Sequence, residues 1–478
     1  MPDLSPVSAD IHHLSATELV DHFRRKTLSP VEVTEAALRQ IELFDGVVNA
    51  FTVVDHDGAM AAARRSEERW MKGEPLGLID GVPSTVKDVM LSRGWPSLKG
   101  SRTVARDQAW TEDSPSVARL HEHGAVLLGK TTMAEFGWKA TGDSPLTGIT
   151  RNPWNCDHTP GGSSSGAAAS VAAGMGTLAV GTDGGGSIRI PCAFTGLVGF
   201  KATFGRVPHY PPNPMGLLVN VGPMTRTVAD CALLLSVLGG FDDRDAYALE
   251  PPAAPLSGEG ADLRGLRVAY IPSFGDAPVH PDIVDAVDGA AREFADLGAT
   301  VDTLPALSDL PREAFLVLWA AGIAYVGRSL DDAQRALLDP GLARMLREGE
   351  GLSAADFVAA DLARSDFSRR MAALHRSYDL LLTPTVATPA LPVGQDLRDP
   401  ARETHFIDWA PFSYPFNLTR QPAITVPCGL TKDGLPIGLQ IVGRRYDDAA
   451  VLRAASAYEA RHPYIAPDMN RIRKAKRS

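Results

Sequence analysis

Cysteine is scarce in this chain of 478 residues: there are four, Cys156, Cys192, Cys231 and Cys428, and no two form a C-x-x-C pair. That excludes a disulfide framework and a cysteine-built zinc site, and it suits reduced, structural thiols. Positive charge is not in excess. Lys and Arg number 47 against 57 Asp and Glu, a formal net charge of −10, so a general nucleic-acid surface is not expected. The one basic run, Arg471–Arg477, reads as a solvated end. No apolar stretch is long enough to cross a bilayer. The opening residues MPDLSPVSADIHHLS lack a basic segment followed by an apolar one, so no secretory signal is read there and the cytoplasm is the expected location, without membrane contact. No carboxylate or cysteine joins His12-His13 at metal-ligand spacing, so the pair reads as a solvated end. Internal repeats and low-complexity tracts are absent.

What is present has the rhythm of a large α/β protein. Residues 1–75 read as mainly helical. Ser15 and Glu18 have capping-box spacing, Ser29-Pro30-Val31-Glu32 opens a second helix, and residues 59–72 suit a third. A short β-like run over 81–88 ends in Lys87-Asp88. Residues 125–130 read as a buried strand, and Thr132 with Glu135 has the spacing to cap a helix after it. Residues 138–154 are loop, and a loop this long is usually functional. Turns are expected over 200–208, then a helix through residue 237 capped by Thr225. Residues from about 240 to 380 form a helical and α/β excursion within one domain of residues 1–478. Strands around 378–385, 417–429 and 435–443 and a helix at 449–459 close the chain.

The most unusual stretch is Thr159–Arg189, TPGGSSSGAAASVAAGMGTLAVGTDGGGSIR. Two polar, Gly-rich ends, Gly161–Gly166 and Gly181–Ser187, flank a segment of small apolar residues. Gly/Ser tracts are commonly linkers, but this centre is too apolar for a solvated spacer and suits a close-packed helix. Glycines let the backbone approach a ligand, and a hydrolase needs a nucleophile, a proton acceptor and oxyanion donors. Ser187 follows three glycines whose N–H groups are sterically free, which makes it the best nucleophile candidate. Ile188-Arg189 follow it, so it does not sit in a G-x-S-x-G elbow. None of the twelve histidines has a comparable setting. A desolvated lysine can serve as the base instead, and Lys87, Ser163 and Ser187 are one trio that could do so. Gly-rich loops also bind phosphate, but no G-x-x-x-x-G-K-[ST] phosphate loop is read and no G-x-G-x-x-G opens a strand–helix unit. Nucleotide binding and a non-enzymatic binding role are therefore secondary readings.

Taken together, Pro160–Ser164, Gly181–Arg189, Gly81-Val82-Pro83 with Lys87-Asp88, Gly129-Lys130-Thr131 with Glu135-Phe136, Thr150–Trp154, Thr383-Pro384, Pro422–Pro427 and Gly438-Leu439-Gln440 resemble, in order and spacing, the amidase signature family of serine hydrolases. The resemblance runs over nearly the whole chain. It implies a large mixed, twisted β-sheet covered by helices on both faces. It also implies a Ser–cis-Ser–Lys triad: Ser187 as nucleophile, Ser163 as bridging serine after a non-proline cis peptide, and Lys87 as base. The N–H groups of Gly184, Gly185, Gly186 and Ser187 would form the oxyanion hole, with Thr182, Asp183 and Arg189 supporting it. The implied reaction is amide hydrolysis through an acyl-enzyme, with no metal or organic cofactor. Two departures from the family pattern stand out: Ser165 replaces a glycine, and Gly184 replaces a larger apolar residue.

The family includes simple amidases, aryl-acylamidases, hydrolases of urea- and carbamoyl-type bonds, fatty-amide hydrolases and the glutaminase subunit of tRNA-dependent amidotransferases. Members resembling the last carry an Asp shortly before the Asn matching Asn417, to hold the glutamine amino group. Here Ala410 stands near that position and Asp408 lies two residues earlier. Trp409, Phe412 and Tyr414 nearby, with Met133 and Trp138, suit an apolar or aromatic pocket. The expected substrate is a small apolar or aromatic carboxylic amide. The alternatives are a hydrolase of carbamoyl, hydrazide or urea-like bonds and a glutaminase-type subunit. A second copy of the chain, forming a homodimer, is the expected protein partner.

Overall fold

The first helices start where short polar side chains satisfy the N–H groups a helix leaves open. In this computed structural model, which describes residues 11–251, 256 and 262–475, α1 (Ala16–Arg25) and α2 (Pro30–Val48) begin on capping boxes. Ser15 and Ser29 accept backbone N–H groups, and Glu18 and Glu32 reach back to the cap N–H. Helix α3 (His56–Lys72) follows β1 (Phe51–Val54) and ends on Gly73.

Eleven strands then build one sheet. After β1 come β2 (Pro83–Lys87), α4 (Pro115–Glu122) and β3 (Val126–Thr131). A separate two-stranded ladder, β4 (Asp143–Ser144) and β5 (Gly148–Ile149), punctuates the long loop. The segment α5 (Ser165–Ala172), β6 (Leu178–Asp183), α6 (Arg189–Thr195), β7 (Val198–Lys201), β8 (Asn220–Thr225) and α7 (Val228–Leu238) forms the centre. Next are β9 (Arg267–Tyr270), α8 (Pro281–Asp296), β10 (Thr300–Thr303), α9 (Arg312–Gly327), α10 (Asp332–Arg335), α11 (Pro340–Glu350) and α12 (Ala354–Leu374). The chain closes with β11 (Leu380–Pro384), α13 (Pro415–Leu418), β12 (Ala423–Leu430), β13 (Pro436–Gly443), α14 (Asp448–Glu459) and α15 (Met469–Ala475).

The strand order is β1-β3-β2-β6-β8-β7-β12-β13-β11-β9-β10. β3, β2 and β6 are mutually parallel, as are β11, β9 and β10, and the middle of the sheet is antiparallel. Helices cover both faces, as the α/β expectation requires. Strands β2 and β6 are buried along their whole length, so even their polar residues face packed protein. Helix α5 is buried on every side, and only small residues let it lie against β2, β3, β6 and α6 together.

Several local expectations are corrected. Thr132 and Glu135 do not cap a helix. Glu135 is buried, accepting from Ser101 Oγ at 2.6 Å and Asp339 N at 2.7 Å, and only a single 3-10 turn follows, because Phe136 takes φ 49°. The cap of α7 is Thr227, not Thr225, since Thr225 still belongs to β8. Residues 198–201 are strand β7 rather than a turn. Gly124–Thr131 spells G-x-x-x-x-G-K-T, yet Gly129, Lys130 and Thr131 lie inside β3 instead of in a phosphate loop. Lys130 is buried there, donating to Met90 O at 2.8 Å, Pro96 O at 3.0 Å and Ser97 Oγ. All four cysteines are free. The first ten residues, and parts of the 239–263 and 471–477 segments, lie outside the described residues.

Candidate active site

Register in the sheet brings the first two functional groups together. β2 and β6 run parallel, with Val86 opposite Val180, so Lys87 at the end of β2 lies level with Gly181, one residue before Thr182. The turn into α5 supplies Ser163 and Ser164 from above, and the Gly162–Ser163 peptide is cis. Lys87 Nζ donates to Ser163 Oγ at 2.8 Å, Ser164 Oγ at 2.9 Å and Thr182 Oγ1 at 2.8 Å. Lys87 has no exposed surface and, among the described residues, no direct carboxylate partner. Burial pushes its pKa down to about 7, with Asp183 opposing that shift.

The three hydroxyls around Lys87 are not equivalent. Ser164 Oγ gives its own proton to Thr182 O at 3.1 Å and also accepts from Thr182 N at 3.3 Å. It can therefore only accept from the lysine. Ser163 Oγ has no other partner among the described residues, so its proton is free to turn toward a neutral amine or an incoming group. Space beside it is kept by Gly137 (φ 75°), where a Cβ would stand 3.1 Å from Ser163 Oγ. Ser164 N donates to Ser187 O at 3.3 Å, joining the two Gly-rich ends. Ser187 retains 7% exposure, and its hydroxyl has no partner among the described residues.

Asp183 holds the loop that presents Ser187. Its carboxylate accepts from Gly186 N at 2.8 Å, from Ile188 N at 3.3 Å, and from Arg189 Nε and Nη2 at 2.9 Å each. Burial opposes this charge, but Arg189 and Asn417 more than compensate and hold the carboxyl well below its usual range. Arg189 is itself saturated, donating further to Ser413 O at 3.0 Å, Gln440 Oε1 at 2.7 Å and Asn417 Oδ1 at 2.7 Å. Asn417 Nδ2 returns to Asp183 O at 2.9 Å, and Ser413 Oγ donates to Gly185 O at 2.7 Å. Gly186 departs from expectation: its N–H is occupied by Asp183, which leaves those of Gly184, Gly185 and Ser187 without partners among the described residues. Its φ of 123° suits only glycine, and a Cβ would meet Ser413 Oγ at 2.6 Å.

Aromatic rings lie against this loop from a distant part of the chain. A Cβ on Gly184 would stand 2.8 Å from Trp319 Cζ3, and one on Gly185 would stand 2.9 Å from Phe315 Cζ. Both rings come from α9 and stack on each other, with centroids 5.3 Å apart. Tyr414 packs on Phe315 at 5.0 Å. Trp319 Nε1 donates to Trp138 O at 3.3 Å, so one indole spans the Gly184–Gly185 loop and the residue after Gly137. Trp138 itself lies against Gly341 at the start of α11, and Met133 Cε approaches Gly137. Trp409 and Phe412 are corrected to core residues. Trp409 stacks on Phe194 and donates to Asp396 O, Phe412 packs on Phe274, and neither has an exposed face for a ligand. Sequence reading missed Ser164, Ser413, Asn417, Gln440, Phe315 and Trp319. The segments around Asn417 and Gln440 stand out in the sequence, but nothing in their spacing tells which buried cation they meet.

Among the described residues no cluster of His, Cys, Asp and Glu could hold a metal ion, and no helix is long and apolar enough to cross a membrane. The sheet, the buried lysine and the two serines on glycine-rich turns define a serine-hydrolase-type enzyme. The comparisons with known proteins make this specific. The amidase family model matches residues 32–452. An acylamidase of Rhodococcus erythropolis is 36% identical over 465 residues, covering 95% of this chain and 97% of that protein. A subunit of the glutamyl-tRNA(Gln) amidotransferase of Myxococcus xanthus is 36% identical over 483 residues, covering 95% and 98%. The crystal structure of a bacterial aryl acylamidase superposes with a TM-score of 0.88 at 33% identity, covering 97% of this chain and 99% of that one. The chain belongs to the amidase signature family.

Proposed function

We propose that this protein hydrolyses small apolar or aromatic carboxylic amides through an acyl-enzyme on Ser187. The observation that carries the reading is the fully buried Lys87, bound only to hydroxyls and held near neutrality. Neutral Lys87 takes the proton of Ser163 while Ser163 takes that of Ser187. Ser187 Oγ bonds to the amide carbon, and the carbonyl oxygen gains negative charge facing the N–H groups of Gly184, Gly185 and Ser187. The proton then returns through Ser163 to the leaving nitrogen, the C–N bond breaks, and the amine or ammonia departs. Water repeats the sequence on the ester and frees the carboxylate.

The likeness to acylamidases supports an apolar substrate, and the rings of Phe315, Trp319 and Tyr414, themselves buried, keep the ground behind the Gly184–Gly185 loop apolar. A glutaminase role is the second reading, favoured by the amidotransferase relatives. Ala410 at the position expected for the amino-group-binding Asp speaks against it, as does Asp408, whose carboxylate is taken by Arg312 at 2.8 Å. Carbamoyl, hydrazide and urea-like bonds stay within reach of the same chemistry. A panel of primary amides, anilides, hydrazides, carbamoyl compounds and glutamine, with mass spectrometry of the protein, separates these classes. The expected result is an acyl adduct on Ser187 with apolar amides and none in Ser187→Ala. Full hydrolysis by Ser187→Ala would refute the mechanism.

A further inference from the structure

A cavity of about 340 Å³ is walled by chain neighbours of the serine–lysine cluster, though not by the cluster residues themselves, and nothing in the reaction above uses it. Its walls come from segments that also flank the reacting groups. Val89 and Leu91 follow Lys87, Phe136 precedes the Gly137 that abuts Ser163, and Tyr325 lies on α9 beyond Trp319. Met215 completes an apolar lining of a size that takes one substituted aromatic ring.

The charge in this cavity is one-sided. Lys99 lines it, and among the described residues no carboxylate does. His209 lines it too, but burial, against the pull of Asp245, brings the imidazole down to about 4, so it is neutral at pH 7. Among the described residues the Lys99 ammonium has no hydrogen bond or ion pair. Burial works against its charge, and Asp88 alone supports it. Asp88 does not reach it as a partner, because that carboxylate accepts from Leu98 N at 3.3 Å and Gly100 N at 3.0 Å and lies 3.8 Å from Lys130 Nζ. A half-buried, unpaired cation over an apolar floor lacks an anion that the protein does not supply.

The proposed chemistry tells which end of the substrate lies here. The leaving nitrogen receives its proton through Ser163, so the amine departs on the Ser163 side of Ser187, the side bounded by Phe136 and Gly137. The rings on Gly184 and Gly185 occupy the oxyanion side. We propose that this cavity is the leaving-amine subsite and that Lys99 binds a carboxylate borne by an apolar, aromatic-sized amine. This rests on the reaction proposed above.

Matched anilides test it: a 4-(acylamino)benzoate and the 4-methylanilide of the same acid, assayed with wild type, Lys99→Met and Lys99→Arg. Wild type should favour the carboxylate by about tenfold in kcat/KM, the size of one charge-assisted hydrogen bond partly screened by water. Lys99→Met should bring the ratio to about one, and Lys99→Arg should keep most of it. Calorimetry with the product amines reads the subsite without turnover: 4-aminobenzoate should bind wild type more tightly than 4-methylaniline, and Lys99→Met should abolish the difference. If both anilides acylate Ser187 with no preference for the carboxylate, the subsite is wrong and the reaction stands. If neither acylates Ser187 while 4-aminobenzoate binding still depends on Lys99, the anion site stands and the reaction is wrong. A carboxylate preference that survives in Lys99→Met overturns the assignment to Lys99.

Discussion

Replacing Lys87 by Met should lower activity severely while changing stability in a way that only a buried, neutralised lysine can. Lys87 falls from its ordinary 10.5 to about 7 in the folded protein. At ~1.36 kcal/mol per unit, the fold disfavours its ammonium by about 5 kcal/mol when the pH is below 7. Between 7 and 10.5 the unfolded chain binds the proton and the folded chain releases it, so wild-type stability rises with pH across that window. Met has nothing to titrate. The stability of Lys87→Met relative to wild type should therefore be greatest near pH 6 and shrink by about 3 kcal/mol by pH 9. The hydroxyls of Ser163, Ser164 and Thr182 lose a partner worth about 1 kcal/mol each; the ammonium donates three bonds and the neutral amine donates two and accepts one, so that loss mainly offsets the curve. Urea melts at pH 6, 7, 8 and 9, with kcat/KM at each pH, measure both effects. Activity should fall about 100- to 10,000-fold, the usual contribution of a general base. A stability difference that is flat between pH 6 and 9 would show that Lys87 is an ordinary ammonium, and the proposed base would be lost with it.

Three other outcomes follow from the same geometry. Wild-type kcat/KM should rise with pH through about 7 and then level, because only the neutral amine accepts a proton; a profile that falls across pH 6–8 contradicts this. Gly184→Ala should cost about 1–3 kcal/mol by overpacking against Trp319 and Val219 and should lower kcat, with Trp319→Leu recovering part of the loss in chemical melts; full activity in the single variant would mean that the ring does not press on the loop. Asp183→Asn leaves the Arg189 guanidinium buried without its charge partner, so it should lose about 3–5 kcal/mol in denaturant titration, whereas a loss below 1 kcal/mol would show the pair to be dispensable.

Local chemistry explains which parts of this molecule could be read in advance. Capping boxes at Ser15 and Ser29 involve groups three residues apart, so their signal is complete within a few letters. Most strands announced themselves as short apolar runs. The errors fell where one residue belongs to two neighbourhoods. Glu135 had the spacing of a cap, but Asp339 N, 204 positions away, claims its carboxylate. Thr225 looked like a cap, but pairing of β8 with β7 extends the strand through it.

The linear order of residues by itself determined the family, the catalytic trio proposed here and the glycine setting of Ser187, because those features lie in short segments whose chemistry travels with them. Only the tertiary structure decided what surrounds them. It buried Lys87 among three hydroxyls, with no direct carboxylate partner among the described residues, and burial lowers its pKa to about 7. It spent the Gly186 N–H on Asp183, and it sent Trp409 and Phe412 to the core. It also brought Phe315 and Trp319, 130 and 135 positions downstream, onto the bare backbone of Gly185 and Gly184. The reason is physical: desolvation and ring packing depend on everything that shares a volume, and helices and strands far apart in the chain fill that volume together.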